Sequence, residues 1–357
     1  MDSMMLRFTF AFLFLLFSAC EKPLSRLTPD AGGEAVRLLN ESFVLRGLKS
    51  FEPLDGSYAR ISVNAEEAPY RLKLLKTSRG EKIPGDILTT QVLWIYRTWQ
   101  ELHDLDLSFG LNEVMPWPRR ILLLQSSTRN SSRHHDNALF HPAGDLTVIF
   151  TYRGEALPLA LNRGILAHEH FHALFWWAAG QKLAASGLLR LGSLGDLKAK
   201  EELYNQLYLN SLNEGLADWW GWLFTGEENF VGATFPLHRD SRTLKPVPDF
   251  VFSLDRQTLE NEVSLVGNAT NLITQRSYQF GRDWSLLLKE LSLRMGRKRV
   301  VAALFSSLGA LGNSAPMSVL MEPQGLAAQI VQNMNVSSGE CESLKVMLPR
   351  LDCGGGR

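Results

Sequence analysis

The chain has 357 residues, 45% hydrophobic and 21% charged, and its 37 Lys and Arg are balanced by 37 Asp and Glu. That length supports a sizeable core, in two domains or in one large two-lobed unit. Zero net charge removes the broad basic field through which nucleic acid would be bound, and leaves the nature of any other substrate open.

Arg7 precedes an almost wholly apolar run, Phe8 to Phe17. About ten residues is short for a membrane span and matches a signal-peptide core. The run ends Phe17-Ser18-Ala19-Cys20, which resembles the lipobox of bacterial lipoproteins. That resemblance implies cleavage before Cys20 and lipidation of its thiol. Phe17 stands where Leu is usual, and secretory cleavage after Ala19 is the alternative. Residues 1–20 are therefore read as a signal peptide. The mature protein is expected in the cell envelope, lipid-anchored to a membrane, or secreted. Glu21 in place of Asp favours the outer membrane. The other two cysteines, Cys341 and Cys353, read in an oxidising compartment as one disulfide closing the tail, with free thiols or a partner-linked cysteine as alternatives.

Residues 21–84 carry turn signals at Pro29-Asp30 and at Pro53 to Gly56, and are read as a small strand-rich segment. Pro84-Gly85-Asp86 then opens a helix: Leu88, Val92, Ile95, Trp99 and Leu102 form one apolar stripe that ends near Gly110. Strands are expected over Arg119 to Gln125 and Leu146 to Tyr152, with Asn137 to Phe140 before a turn at Pro142 to Asp145. His134, His135 and His141 flank Asn137 and are placed at the edge of any cleft there. A further helix is expected after Asp196, another around Ser211 to Trp222, and two more on the stripes of Trp284 to Met295 and Val301 to Leu308.

The stretch from Gly164 to Trp177 holds the chemistry. It is apolar on nearly every side, so as a helix it must be buried. Yet it carries His168, Glu169, His170 and His172, groups that are expensive to bury alone. His168 and His172 are four apart and share a helical face. With Glu169 they complete H-E-x-x-H, in which two imidazoles bind Zn²⁺ and the glutamate handles a water. His170 points elsewhere and reads as a hydrogen-bonded core histidine.

Such a site needs a third protein ligand. Downstream, Asn213-Glu214-Gly-Leu-Ala217-Asp218 places two carboxylates one turn apart. H-E-x-x-H followed by N-E-x-x-A-D resembles the gluzincin metallopeptidases, the thermolysin and fungalysin group. The resemblance implies that Glu214 is the third ligand and that Asp218 orients His168. The alternative for Glu214 is a capping box with Ser211, in which it only satisfies a helix N-terminus. The 42-residue step from His172 to Glu214 exceeds the family's usual gap and points to an insertion around residues 180–195.

Two shorter matches extend the resemblance. Asn137-Ala138 resembles the N-A-[FW] segment of an edge strand that binds substrate backbone. Tyr278-Gln-Phe-Gly281 resembles the Y-x-x-G whose phenol stabilises an oxyanion, with His238 as the alternative for that role. The aminopeptidase signature G-x-M-E-N is not found, which favours an endopeptidase. The implied fold is α+β and zincin-like. A lobe over 85–180 would hold a β-sheet and the active-site helix. A mainly helical lobe over 181–330 would carry the third ligand, and 331–357 would be a tail. The expected activity is peptide-bond hydrolysis on one Zn²⁺ per chain, with a peptide or protein as substrate. The alternatives are a non-catalytic envelope lipoprotein on the same fold and a zinc hydrolase of another bond.

Overall fold

A computed structural model describes residues 34–38, 41–64, 70–78, 82–125, 137–151, 157–190, 199–235, 239–266, 270–315 and 318–353. Residues 1–20 with Cys20, and His134, His135, Asp196 and His238, lie outside these. The fold is mixed α+β. Strands β1 (Glu34–Leu38), β2 (Glu41–Leu45), β3 (Leu48–Phe51), β4 (Leu54–Gly56), β5 (Ala59–Val63), β6 (Leu74–Lys76) and β7 (Lys82–Pro84) precede helix α1 (Ile87–Phe109). Strands β8 (Arg119–Gln125), β9 (Ala138–His141) and β10 (Leu146–Thr151) lead into α2 (Arg163–Phe175), a π-helical turn (Trp176–Gly180) and α3 (Gln181–Ala185). The remainder is helical: α4 (Lys200–Thr225), α5 (Phe230–Thr234), α6 (Arg256–Val266), α7 (Thr270–Met295), α8 (Arg297–Gly312), α9 (Pro323–Asn333) and α10 (Ser338–Leu344). No helix among the described residues is long and apolar enough to cross a membrane.

Two sheets form, one ordered β2-β1-β7-β6 and the other β3-β4-β5-β8-β10-β9. Here the expected division at residue 84 needs correction. β5 pairs in parallel with β8, from Ala59 opposite Arg119 to Val63 opposite Leu123, so the N-terminal segment and the strands after α1 share one sheet. The expected boundary at 330 also fails, because it falls inside α9. Past it, Leu344, Met347 and Leu348 are core residues, the Phe252 backbone N–H donates to the Met347 carbonyl, and a disulfide joins Cys341 to Cys353.

α1 follows its caps. Asp86 accepts from the Thr89 amide, and Gly110 ends the helix in the left-handed region at φ 75°. Val92, Ile95, Trp99 and Leu102 are all buried. β9 is the edge strand of the larger sheet, antiparallel to β10. α2 begins at Asn162, whose side chain accepts from the Ile165 amide and donates to the Phe230 carbonyl and Thr234 Oγ1, which ties α2 to α5. Eleven of its thirteen residues are buried, as an apolar stretch without a polar face requires.

α4 differs from expectation. It runs unbroken through Ser211, whose hydroxyl donates back to the Leu207 carbonyl, and its N-cap position is Ala199 with no side-chain cap. Ser211 and Glu214 therefore sit in mid-helix, and the capping-box reading of Glu214 does not hold.

Candidate metal centre

α2 and α4 lie side by side in opposite directions. His168 faces Asp218, with Nδ1 2.9 Å from Oδ1, and His172 faces Asn213, with Nδ1 3.0 Å from Oδ1. Both acceptors take the Nδ1 proton, which leaves each Nε2 as a bare lone pair in the neutral ring. The two Nε2 atoms are 3.0 Å apart. Glu214 brings Oε2 to 3.3 Å from His168 Nε2 and Oε1 to 3.9 Å from His172 Nε2. Glu169 lies in the same group: His168, Glu169 and His172 each offer a ligand atom, all within 4.8 Å of one another. This His-Glu-His group can hold a metal ion.

The donor set passes a simple test of fit. Lone pairs at 3.0 Å repel unless a cation or a proton lies between them. In a tetrahedral zinc site with bonds near 2.05 Å, neighbouring ligand atoms sit about 3.3 Å apart, close to the spacings here. Glu169 Oε2 is buried and accepts no hydrogen bond among the described residues. Buried carboxylate oxygens without partners are costly, and a bound cation answers that cost.

Burial and close partners together set the protonation of the site's groups. Burial alone would depress the His168 imidazole, but the hydrogen bonds to Asp218 and Glu214 outweigh it and hold its pKa at about 9. A metal binding at His168 Nε2 would therefore compete with a proton for that nitrogen. Asp218 is buried, which would raise it, yet Arg242 and His168 bring it down to about 2. Glu214 is likewise lowered by His172 and His168 against its own burial. Glu169 goes the other way: burial raises it, and the two imidazoles offset only part of that.

Arg242 was not legible in the sequence. It lies between α5 and α6 with no motif around it, yet it is central to the site. Its Nη2 and Nε donate to both Asp218 oxygens at 2.6 and 3.1 Å, and its Cζ lies 4.5 Å over the Tyr278 ring. The backbone just after it is tied down: the Leu244 N–H donates to the Glu228 carbonyl, and buried Lys289 donates to the Leu244 carbonyl and to Glu228. Asn213 was legible only as part of the second motif; its contact with His172 gives it a role.

Tyr278 lies on α7 and borders the cleft with Glu169, Glu214 and Arg242. The Glu214 charge, followed by burial, pushes its phenol well above the usual range, so it stays a donor. It reaches the site because α4 and α7 touch at two glycines. A Cβ on Gly215 would collide with the Gly281 carbonyl oxygen, and Gly281 is one turn beyond Tyr278. Asn137 and Ala138 border the same cleft, of about 260 Å³, alongside Leu139 and Phe140 of β9. His170 is fully buried with Nε2 3.0 Å from Asp106 Oδ2, a core pair as expected. His141 is exposed and its Nδ1 accepts from the Gly144 amide; it does not border the cleft. No protein-family model matches the chain, and no curated protein is significantly similar to it.

Proposed function

We propose that the protein is a zinc-dependent peptidase on a two-lobed, zincin-like fold, of the gluzincin kind. The observation that carries this reading is the convergence of His168 Nε2, His172 Nε2 and the Glu214 carboxylate, from two separate helices, with each imidazole held at Nδ1 by its own acceptor. Bound there, zinc would supply Lewis acidity, acidifying a water and polarising a carbonyl.

The chain's own groups do the rest. Glu169, with a raised pKa and an unpartnered oxygen facing the donor set, takes the proton of the attacking water and hands it to the leaving amine. Tyr278 offers its O–H to the carbonyl oxygen as negative charge develops there, and the Arg242 guanidinium against its ring favours that charge. β9 has one edge unpaired by β10 and borders the cleft, so an extended substrate can add to it as a strand, with Asn137 at its end. The Cys20 anchor would hold this activity at the cell envelope. His238, the alternative donor, lies outside the described residues.

A non-catalytic scaffold gains nothing from burying Glu169 without a partner, which favours turnover. Cleavage of a mixed peptide library by the zinc-loaded protein tests the proposal. Glu169→Gln should abolish cleavage while keeping the metal, and activity indifferent to that substitution would overturn it.

A further inference from the structure

We propose that the end of the cleft beyond His172 is a subsite for an aromatic side chain, and that Trp176 selects it. This rests on the peptidase reading above. α2 and α4 are antiparallel, so positions after His172 lie opposite positions before Asn213. Trp176 comes one turn past His172, and Asn210 and Gln206 come one and two turns before Asn213 and Glu214. All three border the cleft, together with Leu189 and Arg190 from the segment inserted between the two motifs.

The indole is seated rather than loose. Behind it is Gly180, where a Cβ would come 2.8 Å from Trp176 Cε3, so only glycine lets the ring lie down against the π-helical turn. The next residue anchors that turn from the other side: Trp177 Nε1 donates to Asp145 Oδ1 at 3.3 Å. Asp145 is itself gripped by buried Arg119 through two hydrogen bonds. π-helical turns are uncommon and concentrate at functional sites. This one leaves Trp176 half-buried, bordering the cleft.

The opposite wall is polar but carries no spare charge. Gln206 Oε1 accepts from the Arg190 amide at 3.1 Å, and Gln206 Nε2 donates to Asn210 Oδ1 at 3.0 Å. The Arg190 guanidinium is neutralised by Glu202 at 2.8 Å. A flat indole on one side and a mutually satisfied carboxamide wall on the other suit a neutral aromatic ring. A charged side chain entering there would lose water without gaining a counter-charge.

The test uses pentapeptides with Phe, Tyr, Asp, Lys or Ala at a single position, moved in turn to each side of the scissile bond. At one of these positions the aromatic peptides should be cut with a kcat/KM roughly tenfold or more above the others. Trp176→Ala should erase that preference, and Trp176→Phe should keep most of it. Thermal unfolding confirms that the variants are folded. Cleavage without aromatic preference, or a preference unchanged in Trp176→Ala, overturns the subsite and leaves the peptidase reading intact. If the wild type cuts nothing, the peptidase reading fails by itself. Calorimetric binding of the same peptides to zinc-loaded Glu169→Gln protein reads the subsite without turnover. Equal affinity for Phe and Ala peptides, or no binding, overturns it.

Discussion

Replacing Asp218 by Asn tests how the two helices hold their donors. The substitution keeps the shape and one acceptor oxygen for His168 Nδ1 but removes the charge facing Arg242. Asp218 and Arg242 are both almost inaccessible, with side chains 5% and 12% exposed and Oδ1 2.6 Å from Nη2. Removing one partner of such a buried pair costs on the order of 3–5 kcal/mol, because the other charge stays buried without compensation. The one carboxylate left beside Arg242 is then Glu214, at 3.8 Å, and leaning towards Glu214 would draw that carboxylate from the imidazoles. Zinc affinity should therefore fall roughly 10–100-fold. Stability is read by thermal unfolding in chelator and affinity by competition with a chromophoric chelator. Adding Arg242→Met should restore part of the stability without restoring the affinity. An Asp218→Asn protein with unchanged unfolding temperature and zinc affinity would refute this account of the pair.

Tyr278→Phe should keep zinc and fold while lowering kcat by roughly a hundredfold or more, the effect of losing one oxyanion donor; a change confined to KM would remove Tyr278 from that role. Gly215→Ala forces a methyl group into the Gly281 backbone and should destabilise the protein by about 1–3 kcal/mol, measured by denaturant unfolding. pH acts with opposite sign on the two forms. The metal-free His168 pKa of about 9 lies above the ordinary 6.5, so the stability it contributes, about 3 kcal/mol at most, is fully present below pH 6.5 and lost as pH rises through 9. Zinc must displace that proton, so its affinity should climb between pH 7 and 9 and flatten above. Titration calorimetry in two buffers of different ionisation enthalpy reads the released proton, and a pH-independent affinity would contradict the assignment.

What could be read from the residues was what depends on local signals. Asp86 and Gly110 bracket α1 because a side-chain cap and a left-handed glycine are chemical stops. The two motifs place their donors because residues four apart on a helix always share a face. α4 was harder: Ser211 and Glu214 have the spacing of a helix start, and only the tertiary environment, burying both sides of α4, makes them mid-helix. The pairing of β5 with β8 joins strands separated by α1, and nothing in either short strand names its partner. Arg242 comes from a segment without periodicity that is held at Leu244 by the Glu228 carbonyl and the Lys289 side chain, so its place in the site depends on tertiary contacts. The π-helical turn after α2 was likewise invisible, since Trp176 to Gly180 fits an α-helical pattern equally well.

The central claim is that Glu214, reaching from α4, completes the metal site begun by His168 and His172 on α2. Zinc content measured by plasma emission on purified wild type beside Glu214→Ala tests it most directly. The account predicts about one zinc per wild-type chain and its loss in the variant, with fold retained. Equal zinc in both proteins, or none in the wild type after loading, would contradict it.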